Sequence, residues 1–116
     1  MKIFEIPFPT KKFDGIALGD NIFIREGMMR PTILAHEKTH VEQWQREKWL
    51  FYFRYLFSKK ARAHYEAEAY ANQLRASPLV ESHSAKLEHY AERMVKHYNL
   101  NLTLKQAMNL ILKYYM

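Results

Sequence analysis

Cysteine is absent from this 116-residue chain, which excludes a disulfide scaffold, thiolate zinc fingers, iron–sulfur clusters and a cysteine nucleophile. Any metal must therefore be held by His, Asp or Glu, and Asp14 and Asp20 are the only two Asp among twelve acids. Glycine and proline are scarce, at three and four residues, and all three Gly fall within residues 1–30. Long apolar runs are missing too. The longest, from Trp49 to Phe57, is interrupted by Arg54, whereas a transmembrane helix needs about 20 residues. At the start, Glu5 and Pro7 interrupt the apolar run a signal peptide would need, so a cytoplasmic protein without a membrane span is expected.

The length predicts one domain over 1–116, too short for a barrel enzyme. A 48% hydrophobic content is ordinary for a folded chain and argues against disorder. The net charge of +6 is spread along the sequence without a dense basic block, so no specific nucleic-acid partner is expected.

Local patterns predict an α+β fold, a small N-terminal antiparallel sheet followed by about four helices. Lys2–Pro7 and Asn21–Arg25 are rich in β-branched and aromatic residues, and Phe13–Leu18 is a weaker strand. Gly19-Asp20-Asn21 reads as a tight turn joining Ile16–Leu18 to Ile22–Ile24. Pro31 suits the first position of a helix running to about Trp49. Ser58 caps a second helix to about Ala76, stopped by Ser77-Pro78. Leu79–Tyr98 is the third, with Leu87, Tyr90, Ala91, Met94 and Val95 on one stripe. Thr103-Leu104-Lys105-Gln106 reads as a capping box opening a last helix. The aromatic run Trp49–Phe57 is expected as buried core at a helix junction, with a membrane surface or a substrate wall as its other readings, and Lys59-Lys60 as a solvated basic cluster. The apolar stripe of the C-terminal helix should pack on the domain, with a homo-oligomer interface or a lid as its other uses.

His36-Glu37-Lys38-Thr39-His40 fits the H-E-x-x-H pattern. Residues four apart stack on one helix face, so two imidazoles can point at one ion with Glu37 beside it. Chance matches in a chain of this composition number about 0.03. At about 100° per residue, the trio lies inside or beside the apolar arc of Ile33, Leu34, Val41 and Trp44. Lys38, Thr39, Glu42, Gln45 and Arg46 fall on the other side. Ionisable groups on a buried face are costly unless something satisfies them, and a cation does so.

A catalytic zinc site takes three protein ligands and keeps one position open. Arg62-Ala63-His64-Tyr65-Glu66-Ala67-Glu68-Ala69-Tyr70 is the source of the third. Glu66 and Glu68 diverge by about 200° and cannot both serve. Glu66 shares its side with Ala63, Ala69, Tyr70, Gln73 and Leu74, while Glu68 faces out as a solvated acid. His64 is a lower-ranked alternative. Small Ala63, Ala67 and Ala69 would let the two helices approach closely. His83, His89 and His97 read as solvated.

A histidine pair with a glutamate on one helix and a glutamate on a following helix resembles the gluzincin zinc metallopeptidases. Over about residues 16–75 the chain is similar to minimal members of that clan, among them small bacterial and phage proteins in which Gln or Trp follows the second His and an E-x-E-A segment gives the third ligand. The resemblance implies a hydrolase acting on a peptide or protein substrate, with one Zn2+ per chain. It makes His36, His40 and Glu66 the zinc ligands and Glu37 the general base, and offers Asn21–Arg25 as an edge for an extended peptide. The acid that gluzincins often carry four residues after the third ligand is replaced by Tyr70, a phenol that can still bond a ligand His. Tyr65, Tyr70 and Tyr55 stand level as oxyanion stabilisers. The other readings are a zinc-stabilised protein-binding domain with little or no catalysis, and a basic helical nucleic-acid binder in which the motif is accidental.

Overall fold

The computed structural model describes residues 1–8, 12–78 and 83–116. Strands β1 (Lys2–Ile6), β2 (Gly15–Leu18) and β3 (Asn21–Arg25) precede helices α1 (Pro31–Glu47), α2 (Trp49–Phe57), α3 (Lys59–Arg75), α4 (His83–His97) and α5 (Leu104–Tyr115). The chain is thus α+β, a small sheet followed by helices. Leu79–Ser82, the expected start of the third helix, lies outside the described residues.

The hairpin forms where the turn residues require it. Gly19 takes φ +58°, and β2 pairs antiparallel with β3 through Leu18↔Asn21 and Ile16↔Phe23. β1 pairs with the other side of β3 in parallel, from Lys2↔Asn21 to Ile6↔Arg25. The sheet is therefore mixed, not purely antiparallel, with order β1-β3-β2. This corrects a second expectation. Asn21–Arg25 is central and paired on both sides, so it has no free edge to offer; β2 has one.

Pro31 stands at the first turn of α1, and Ser58 caps α3 by accepting from the Ala61 N–H. The Thr103/Gln106 capping box is present in both directions. The 49–57 run forms a helix of its own, because Lys48 adopts φ 55° and breaks the chain from α1. It is not buried core. Phe51 alone in it is buried, since α2 packs on its neighbours by one side only.

Two apolar clusters frame the site. Ile22 and Ile24 of β3 pack with Ile33 and Val41 of α1, each buried Ile contributing about 1.5–3 kcal/mol. The larger cluster joins α3, α4 and α5 through Leu74, Leu87, Met94, Ala107 and Ile111. Ala63 and Ala67 belong to it, packing α3 on α4 and α5. The α5 stripe is spent inside this core, with Ala107 and Ile111 fully buried. Between the clusters α1 lies against α3. Thr39, expected on the outer side of α1, is buried there and accepts from Asn72 Nδ2. No described helix is long and apolar enough to cross a membrane.

Candidate metal centre

Helices α1 and α3 bring His36, His40 and Glu66 together, one ligand atom from each lying within 4.8 Å of the others. The two Nε2 atoms are 3.2 Å apart. Glu66 Oε1 is 3.2 Å from His36 Nε2, and Glu66 Oε2 is 3.2 Å from His40 Nε2. Two nitrogens sharing one zinc at 2.0–2.1 Å with a near-tetrahedral angle stand about 3.3 Å apart. The separation fits.

The alignment fits as well. Glu66 is 1% exposed, and its Oε1 accepts no hydrogen bond although it lies at ion-pair distance from His36. Glu66 Oε1 and His36 Nε2 are close without being hydrogen-bonded, an arrangement in which both can turn to a common point, as ligands around a cation do. A buried carboxylate oxygen without a hydrogen bond is costly, so the two imidazoles and the chemistry of the set together suit a divalent ion of intermediate softness.

Electrostatics follow from burial and proximity. Burial works against the His40 imidazolium, but the Glu66 carboxylate beside it outweighs this and raises its pKa to about 9. Burial raises Glu66 likewise, yet its two histidine neighbours hold it well below the usual carboxylate range. Burial pushes Glu37 up.

The surrounding shell is mostly polar side chains that sequence reasoning missed. Gln43, fully buried, accepts from His40 Nδ1 at 2.9 Å. That bond places the His40 proton on Nδ1 and leaves Nε2 as the lone-pair donor. Gln43 Nε2 in turn donates to the Tyr65 carbonyl at 2.9 Å and to Glu68 Oε1 at 2.8 Å. Glu68 is thus not a free solvated acid; it braces Gln43 and pairs with Arg46 at 3.1 Å. It does not reach the donor cluster.

Of the three tyrosines, Tyr55 donates to Glu66 Oε2 at 2.5 Å. Tyr65 turns its hydroxyl to Glu47 at 2.7 Å, away from the cluster, and contributes only its carbonyl. Tyr70 packs its ring on His36 with centroids 4.4 Å apart, while its hydroxyl meets that of Tyr98 at 3.2 Å. The bond to a ligand His expected of Tyr70 is not made. His64 is bonded to Tyr114 and stands outside the cluster. His83 is bonded to Tyr115, His89 is exposed, and His97 packs against Phe13 beside the cleft.

Glu37 borders the opening. A cleft of about 470 Å³ is lined by all four β2 residues, by His36, Glu37, His40 and Glu66, and by Phe51, Tyr52, Tyr55 and Leu56 of α2. That size falls in the range of ligand sites. Gly15 of β2 sits directly over Glu37: a Cβ there would lie 3.1 Å from Glu37 Cγ, 3.3 Å from Glu37 Oε2 and 3.0 Å from Ile24 Cδ1. A recess of about 40 Å³ behind Glu37, bounded by Tyr70, Arg93 and Tyr98, is large enough for a water molecule. Compared with known proteins, the chain matches no family model, no curated protein and no solved structure.

Proposed function

We propose that this chain is a zinc-dependent peptidase of the gluzincin type. The observation that carries the reading is the convergence of His36, His40 and Glu66 with a carboxylate, Glu37, beside them at the floor of an open cleft. A structural zinc site closes its fourth position with protein, whereas a catalytic one leaves it to solvent and substrate. Among the described residues no fourth His, Asp or Glu joins the donor cluster.

A zinc ion held by His36, His40 and Glu66 would supply Lewis acidity, polarising a carbonyl and lowering the pKa of bound water to about 7. The chain's residues do the rest. An extended peptide pairs along the free edge of β2, which lines the cleft from Gly15 to Leu18. Glu37 accepts the proton of the attacking water at its carboxylate. As the amide C–N bond breaks it returns that proton to the leaving nitrogen. Apolar walls from Ile16, Leu18, Phe51 and Leu56 favour an apolar side chain next to the cleaved bond. Tyr55 keeps the Glu66 carboxylate oriented.

The second reading, a zinc-stabilised binding domain without catalysis, draws on Tyr55. Of the three candidate tyrosines it alone gives its hydroxyl to the donor cluster, and that hydroxyl is spent on Glu66 and not turned to a substrate oxygen. Glu37→Gln separates the two readings. Peptidase action predicts chelator-sensitive cleavage of unfolded protein that falls at least about 100-fold in the variant with zinc still bound. Cleavage persisting in Glu37→Gln would refute the assignment, and a zinc-loaded wild type that cleaves nothing would favour the binding domain.

A further inference from the structure

Helix α2 is apolar but for Arg54 yet covered on only one side. Phe51 is 4% exposed and Tyr55 is half-buried, and both face the body of the protein. On the opposite side Trp49 is 77% exposed, Phe53 62%, Leu56 64% and Phe57 76%. These positions recur at i, i+4, i+7 and i+8, one continuous helical face. A helix this apolar is ordinarily buried all round, so the open face needs an occupant.

Charge indicates which. From Lys48 to Tyr65 the sequence carries Lys48, Arg54, Lys59, Lys60 and Arg62 and no acid. Arg54 is engaged by Glu47 and Arg62 by backbone carbonyls, whereas Lys59 and Lys60 make no ion pair among the described residues. They lie just past the C-terminal end of the apolar face, and Lys48 just before its start. An aromatic and aliphatic face flanked by cations is the pattern of a helix that lies in the plane of a bilayer surface, where indole and phenyl groups reach the acyl boundary and lysines meet anionic headgroups. A nine-residue helix rises only about 13 Å and cannot span the bilayer.

We infer that α2 docks this protein on an anionic membrane surface, with Trp49, Phe53 and Phe57 inserted and Lys59 and Lys60 at the headgroups. Leu56 belongs to both the exposed face and the cleft wall, and Ile16 and Leu18 on the facing wall are themselves 44% and 52% exposed. The cleft therefore opens beside the docked face. Docking of this kind does not depend on the metal centre, and it would hold whether or not the chain is a peptidase.

The test is co-sedimentation of the full chain, in chelator, with vesicles of phosphatidylcholine containing about one-third phosphatidylglycerol, against pure phosphatidylcholine. Each free cation near an anionic surface contributes about fivefold, so the two lysines predict roughly 25-fold tighter binding to the anionic vesicles, weakened by salt. Trp emission should shift to the blue on binding, and Trp49→Ser should abolish that shift. The combined variant Trp49→Ser/Phe53→Ser/Phe57→Ser should lose binding at an unchanged circular-dichroism spectrum. Lys59→Glu/Lys60→Glu, which places acids at a helix start where they are tolerated, should lose the anionic preference. Equal binding to both vesicle types, or undiminished binding by the triple variant, would overturn the proposal. So would a wild type that does not bind vesicles but dimerises through this face, with the triple variant monomeric.

Discussion

Gln43 offers the sharpest test of how the centre is held. Its side chain is fully buried and makes three hydrogen bonds, to His40 Nδ1, the Tyr65 carbonyl and Glu68. Gln43→Met keeps nearly the same volume and removes all three. The variant strands the His40 N–H in the interior, at about 1–3 kcal/mol for a buried group left unpaired. The Tyr65 carbonyl keeps its bond within α3 and Glu68 keeps Arg46 at 3.1 Å, so both lose less. A destabilisation of about 1–3 kcal/mol follows for the metal-free fold, or roughly a 4–12 °C fall in Tm.

The effect on metal is separate. Without Gln43 the His40 proton is no longer held on Nδ1, and the tautomer protonated on Nε2 competes with ligation. Partners of this kind affect metal affinity by about 10–100-fold, equivalent to roughly 1.4–2.7 kcal/mol. Competition against a chromophoric zinc chelator reads the affinity, and thermal melts with and without chelator read the two stabilities. Gln43→Glu should restore much of the affinity, since it still accepts from His40 Nδ1, while remaining destabilised by repulsion from Glu68. A Met variant that binds zinc within twofold of the wild type would refute the reasoning, because His40 would then need no orienting partner.

Two further perturbations reach the base and the donors. Gly15→Ala presses a methyl group onto Glu37 and Ile24. On the peptidase reading it should lower kcat by roughly 3–10-fold through a shift of Glu37 by a few tenths of an ångström while one zinc per chain is retained, and full activity in this variant would show that Glu37 works from another position. In metal-free protein His40 is raised to about 9 from 6.5, so its stabilising contribution is complete below about pH 6.5 and is lost as pH rises through 9. The raised Glu37 acts in the same direction, and the lowered Glu66 removes stability only at acid pH, below its ordinary range. Tm in chelator should therefore fall from pH 6.5 to 9, while the increment given by zinc, which needs neutral imidazoles, should grow over the same range. A chelator melt that is flat in pH would contradict the pairing.

The sequence disclosed those parts of the site that a single helix encodes. His36, Glu37 and His40 are legible because i, i+1 and i+4 fix a face, and Glu66 because a 200° divergence from Glu68 leaves only one of the two on the buried side. The bracing residues are not legible in this way. Gln43 follows His40 by three positions, but its role depends on Tyr65 and Glu68, more than 20 residues on. Gly15 meets Glu37 only after the hairpin folds onto α1. Strand order is equally nonlocal: β3 becomes central because β1 returns to pair beside it, which nothing within Asn21–Arg25 records. Helix α2 escaped detection because a nearly continuous apolar run shows no clear polar face, and Lys48 ends α1 without Gly or Pro to mark the break. The expectation that its aromatics fill the core failed because α4 and α5 already occupy the other side of α3.

The central claim is that His36, His40 and Glu66 hold one metal ion, and metal analysis of protein purified without added zinc tests it most directly. The account predicts about one zinc per chain in the wild type and in Glu37→Gln, and loss of bound zinc in Glu66→Ala and His40→Ala. Wild-type protein that is folded and free of zinc, or a Glu66→Ala variant that retains full zinc affinity, would contradict it.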